Sequence, residues 1–110
     1  MAIVFTPSKR FDIDSQFGQK KKIIGTVAFD SSHAGAGETL VKSQVGLSTI
    51  DYLEILPFSI SDAGYVPIAD LTNNIVDVYM SKGSAGGLVV ASGVDLSAAT
   101  AVPFMAFGDL

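Results

Sequence analysis

The chain of 110 residues contains no cysteine, no tryptophan and a single histidine, His33. The absence of cysteine excludes disulfides, thiolate catalysis and cysteine-ligated metal. A lone histidine excludes the histidine pairs that many zinc centres use. No apolar run approaches the ~20 residues that a membrane-spanning helix needs. We therefore expect no membrane segment, no bound metal and no cofactor.

Motifs for catalysis or phosphate binding are also lacking. The stretch 25–41, GTVAFDSSHAGAGETLV, joins His33 to two serines and two closely spaced glycines. It has neither the lysine of a phosphate-binding loop nor an amphipathic helix after it, and no G-x-S-x-G motif presents a serine nucleophile. Asp51 and Glu54, a conceivable acid–base pair, would point to opposite faces of a strand. We predict a protein that is not an enzyme and has no catalytic residues.

Charge is distributed unevenly along the chain. Residues 1–22 carry five basic and two acidic side chains, a net +3, whereas residues 23–110 carry two basic and nine acidic ones, a net −7. An acidic body repels phosphate, so we expect no nucleic-acid partner. Contact between the basic segment and an acidic neighbouring subunit is the interpretation we prefer. The five basic residues are Lys9, Arg10, Lys20, Lys21 and Lys22.

The first 22 residues show no sustained hydrophobic period. We therefore predict an extended basic arm over residues 1–22, followed by a β domain over residues 23–110. Ile3, Val4 and Phe5 form a β-prone run that suits strand addition at the edge of a neighbour's sheet. We expect the arm to be disordered in the free protein and to become ordered on assembly, with its basic residues along acidic rims.

Alternating apolar residues between turn formers predict about six short antiparallel strands and at most one helical turn, the latter within residues 38–50. This pattern indicates an all-β fold, a small β-sandwich or barrel. Strands 51–58 and 100–107 are apolar on both faces, so we expect one face to pack on the core and the other on another chain. The predicted strands cover residues 23–29, 51–58, 64–71, 75–81, 88–91 and 99–108, with a hairpin turn at 72–74.

An ordered set of short motifs runs through residues 23–108. Thr26 and Phe29-Asp30-Ser31-Ser32 precede a glycine-rich bend, which Gly37-Glu38, Leu40, Gly46-Leu47-Ser48 and Ile50-Asp51 follow. Gly64-Tyr65-Val66 begins a hairpin that reaches Tyr79, and Asp95-Leu96-Ser97-Ala98 with Thr100 precedes a strand that ends in Ala106-Phe107-Gly108. In this order the set resembles small virion structural proteins of tailed bacteriophages. His33-Ala34 departs from the pattern, where an aromatic–proline pair is commoner.

The resemblance implies a capsid decoration or cement protein, without enzymatic activity, that binds between major capsid protein subunits and stabilises the virion head. We expect synthesis in the host cytoplasm and self-association as a dimer or trimer. The alternative is a ligand- or carbohydrate-binding module of a tail fibre or adhesin, with three tyrosines as its aromatic platform. The candidate contact residues on the body are these tyrosines, Tyr52, Tyr65 and Tyr79, together with Phe104 and Phe107.

Overall fold

The computed structural model describes residues 3–13, 20–30, 37–61, 63–81, 88–90 and 93–110. Strands dominate these ranges, and the prediction of an all-β fold is confirmed. The helical content is a single turn, α1 (Lys42–Val45). The strands of the described residues are β1 (Val4–Ile13), β2 (Lys20–Ala28), β3 (Glu38–Thr39), β4 (Thr49–Ile55), β5 (Phe58–Ile60), β6 (Ala63–Asp70), β7 (Ile75–Ser81), β8 (Leu88–Val90) and β9 (Val102–Asp109).

The strands form two antiparallel sheets. Sheet A has the order β1-β2-β9-β4, so its two central strands come from opposite ends of the described chain. In sheet B, β5 pairs with β6 and β6 with β7, and the far edge of β7 pairs with β3 at one end and with β8 at the other. The molecule is elongated, with extents of 48 × 22 × 21 Å.

One core joins the two sheets and the segments between them. Strict alternation on β9 sends Val102, Phe104 and Ala106 inward, and the residues between them outward. From sheet B, Val76 and Val78 of β7 are fully buried. The core also includes Ile3, Phe5, Ile23, Val27, Phe29, Leu40, Val45, Leu47, Leu53, Ile55, Tyr65, Leu96 and Ala99.

Strand β1 corrects the prediction of an N-terminal arm. It pairs with β2 along its whole length, from Val4 opposite Ala28 to Ile13 opposite Lys20. Ile3 and Phe5 are buried, and the Phe5 ring packs edge-on against Phe104 at 5.2 Å. Main-chain pairing and these two anchors hold the segment in the chain's own sheet. The prediction of an arm that lies outside the sheet and is disordered in the free protein is wrong for residues 3–13 and 20–22.

The hairpin and the helical turn follow the sequence prediction. A turn over residues 71–74 connects β6 and β7, and Asn74 takes the left-handed conformation, with φ of 55°. The Asp70 carboxylate accepts hydrogen bonds from the backbone N–H groups of Thr72 and Asn73, at 3.0 and 3.1 Å. Helix α1 ends at Gly46, whose φ of 95° only glycine adopts without strain.

We predict that Gly108→Ala destabilises the protein. A methyl group at this position would collide with the backbone carbonyl oxygen of Thr49 across the β4–β9 pair. Overpacking of this kind lowers the free energy of unfolding by roughly 1–3 kcal/mol, which urea denaturation measures.

Gly64→Ala is the matched control, because a methyl group at Gly64 would meet no atom within 4 Å. Gly64 lies in β6 without a positive φ, so we expect this variant to be neutral or slightly stabilised. Equal losses of stability in the two variants would contradict the close approach of β4 to β9.

Candidate interaction surface

Sheet A buries one face in the core and leaves the other, which we call the outer face, toward solvent. Antiparallel register aligns one residue from each strand in rows across this face, in the order β1, β2, β9, β4. Leu56, just beyond β4, completes one row because its N–H donates to the Pro103 carbonyl at 3.1 Å. The rows are Thr6–Thr26–Pro103–Leu56, Lys9–Ile24–Met105–Glu54, Phe11–Lys22–Phe107–Tyr52 and Ile13–Lys20–Asp109–Thr49.

Exposed apolar side chains concentrate on the outer face. Seven large hydrophobic residues of the described chain are exposed, and four of them lie here: Val4, Phe11, Tyr52 and Leu56, at 44–50%. Half-buried Ile24, Met105 and Phe107 fill the middle of the sheet. This grouping of apolar side chains makes the outer face the candidate interaction surface.

Contacts between neighbouring strands order the aromatic side chains of this face. The Tyr52 ring lies against Phe107, with centroids 5.7 Å apart, and the Lys22 ammonium lies over the Phe11 ring at 5.6 Å. The Tyr52 hydroxyl donates to the Glu54 carboxylate at 2.8 Å, and this bond raises the pKa of Tyr52. The aromatic row is therefore held in place before any partner binds.

An ionic cluster ties three strands together at one end of the outer face. The Lys20 ammonium lies 2.9 Å from the Asp51 carboxylate and 3.1 Å from that of Asp109. These two carboxylates raise the pKa of Lys20, Asp51 first. The Thr49 hydroxyl donates to Asp109 at 2.7 Å, and this bond, followed by the Lys20 contact, lowers the pKa of Asp109. A bulge between Ile50 and Tyr52 accommodates Asp51.

The structure divides the predicted contact residues into distinct groups. Four of them belong to the buried core, which corrects their assignment to an interface: Ile3, Phe5, Tyr65 and Phe104. Six lie on the outer face: Val4, Lys9, Lys20, Lys22, Tyr52 and Phe107. By strand alternation Arg10 and Lys21 point to the opposite side of sheet A, and Tyr79 belongs to sheet B.

The three tyrosines do not form one platform. Tyr65 is buried and stacks on Phe58 at 5.3 Å, while Tyr52 and Tyr79 belong to different sheets. A groove of about 350 Å³ does run between β4 and β6, and Tyr52 is the tyrosine among its lining residues. An aromatic platform of the kind that carbohydrate-binding modules use is therefore not assembled from these residues.

Ile24, Met105, Glu54 and Phe11 are members of the outer face that the sequence prediction missed. Met105 could have been predicted from the sequence, because the last strand was expected to be apolar on both faces. The other three depend on the register of β1, β2 and β4 with their neighbours, which no local pattern in the sequence gives.

His33 and the two serines of the stretch 25–41, Ser31 and Ser32, lie outside the described residues. Among the residues that are described, no group of three potential metal ligands occurs. No helix in that part of the chain has the length and apolar character to cross a membrane. Comparison with protein-family models, curated proteins and solved structures finds no match.

We predict that the Asp109 cluster makes stability depend on pH. Asp109 has a pKa below the ordinary 3.8. Its contribution is therefore complete above the unfolded-state pKa and is lost as the pH falls through the folded-state pKa. Asp109→Asn should lower the urea midpoint at neutral pH, and the difference from the unsubstituted protein should shrink as the pH falls below 3.8. A difference that stays constant down to strongly acidic pH would contradict this role.

Proposed function

We propose that the protein is a structural component of a bacteriophage virion, a decoration or cement protein that binds between major capsid protein subunits and stabilises the head. The observation that carries the proposal is the outer face, an ordered four-stranded surface with half-buried apolar side chains at its centre and exposed ones along both edge strands. A sheet with apolar side chains on both faces suits a protein that functions against other subunits. The ordered motif set over residues 23–108 supports the same role.

The two edge strands of sheet A, β1 and β4, differ in how readily a further strand can pair with them. The β1 edge carries Pro7, which has no N–H to donate and so disfavours the addition of another strand. A register shift occurs in both edge strands, between Pro7 and Lys9 in β1 and between Ile50 and Tyr52 in β4. Within the described residues, β4 has a neighbouring strand on one side only, and the groove beside β6 lies along it. This edge supports the proposal because a strand of a capsid subunit could be added to it.

A cement protein gains from several modest contacts rather than one strong one. Contacts with a capsid subunit and with another copy of the chain strengthen each other. Once the protein has made the first contact, it meets the second partner at a high effective concentration. An apolar face and a separate open strand edge on one rigid body supply two such contacts. The geometry therefore supports a role in which the protein links subunits of a shell.

We predict that the protein sediments with DNA-free heads of the encoding phage, and that Phe11→Asp reduces this binding. The Phe11 ring is 44% exposed on the outer face, and a carboxylate there would have to be desolvated on contact. Val41→Asp is the matched control, since Val41 is 38% exposed at the start of α1, away from the outer face.

Binding is measured by co-sedimentation and by the thermal stability of the heads with and without protein. Retention of Val41→Asp with loss of Phe11→Asp supports the proposal. Failure of the unsubstituted protein to bind heads, or equal binding by both variants, would contradict it.

A further inference from the structure

We propose that the outer face binds the outer face of a second copy, in a face-to-face dimer whose two-fold axis runs parallel to the strands. The axis lies between sheet A of one copy and sheet A of the other, above the boundary between β2 and β9. It brings β1 of one copy over β4 of the other, and β2 over β9, with each row facing the same row.

The central row is self-complementary under this rotation. It reads Lys9, Ile24, Met105 and Glu54 across the four strands. Rotation places each Lys9 over Glu54 of the second copy and each Ile24 over Met105. Two ion pairs then flank four apolar side chains, which is the arrangement of an apolar centre within a polar rim.

Both charged residues of this row are free to make that contact. Lys9 and Glu54 are exposed, and neither takes part in a salt bridge within the described part of the chain. Glu54 accepts one hydrogen bond, from Tyr52, and this leaves its other carboxylate oxygen for a cation.

The adjacent rows are compatible with the same axis. In the aromatic row, Lys22 comes over Phe107 of the second copy, while Phe11 comes over Tyr52. In the row beyond it, Lys20 comes over Asp109. No like charges face each other in these rows, in which β1 and β2 supply three lysines and β9 and β4 supply Asp109 and Glu54. Asp51, in the bulge of β4, is paired with Lys20 of its own copy.

A two-fold axis perpendicular to the strands gives a less favourable arrangement. It places β1 over β1 and β4 over β4, so that a central axis brings Lys9 next to Lys9 and Glu54 next to Glu54. Like charges in such contacts cost binding energy. The charge pattern therefore selects the axis parallel to the strands.

The area of the face reaches the minimum for a biological interface. Four strands about 4.8 Å apart and rows about 6.8 Å apart along them give roughly 500 Å² per copy, so a dimer buries about 1,000 Å². Aligned sheets cross at about 30°, an offset that the long side chains of Lys9 and Glu54 span at the ends of their row. The inference deepens the proposed function and rests on it in one respect, that the outer face is an assembly contact.

Charge reversal in solution tests the dimer without any capsid. Lys9→Glu places a second carboxylate over Glu54 at both ends of the row, and Glu54→Lys likewise brings two ammonium groups together at both ends. We therefore expect each variant alone to raise the dimer dissociation constant by roughly tenfold or more. An equimolar mixture of the two variants should dimerise again, because both contacts of the mixed dimer then join opposite charges. Sedimentation velocity and mass-resolved mixing of isotopically labelled protein measure both results.

Arg10→Glu is the control, since it makes the same charge change on the same strand but on the opposite side of sheet A. A misfolded variant would not regain dimerisation on mixing, so recovery also verifies the fold. The proposal is overturned if the unsubstituted protein is monomeric at high concentration, if mixing restores nothing, or if Arg10→Glu weakens the dimer as strongly. The dimer experiment contains no phage heads. If it fails, the co-sedimentation experiment with heads still decides the proposed function on its own.

Discussion

The antiparallel pairing of β2 with β9 is the contact on which the rest of the molecule depends. It joins residues near the two ends of the described chain, from Lys21 opposite Gly108 to Val27 opposite Val102. β1 and β4 can attach only to the outer edges of this pair. The same pairing sends Ile23 and Ala106 into the core, so the register of a single ladder decides which side chains form the core and which form the outer face.

The outer face is a consequence of that register. Strand β9 has apolar side chains on both faces and cannot bury both sets in one small core, because sheet B covers only one side of sheet A. Met105 and Phe107 are therefore left at the surface, where the Tyr52 ring and the Glu54 carboxylate border them. The lysines of the outer face all lie on β1 and β2, whereas its carboxylates lie on β9 and β4, and this gives the face its division of charge.

The all-β class, the hairpin around residues 71–74 and the two-faced last strand could be predicted from the sequence, because alternation and turn residues are local signals. The pairing of β1 could not, since its residues from Thr6 to Asp12 are exposed on both faces and show no period. The tyrosines could not be assigned from the sequence for a similar reason. Tyr65 is buried and Tyr52 is exposed, and the register of each strand with its neighbour determines which face each side chain lies on. Cross-strand rows such as Lys9 to Glu54 join residues far apart in sequence.

Oxidation of Met105 by hydrogen peroxide, followed by peptide mass spectrometry, tests most directly whether the outer face is an assembly contact. Met105 lies at the centre of this face, and Met80 packs against the core and serves as an internal reference. We predict that Met105 is oxidised readily in dilute protein and is protected in concentrated protein, while the rate for Met80 stays the same. Equal oxidation of Met105 at both concentrations would contradict the role of the outer face as an assembly contact.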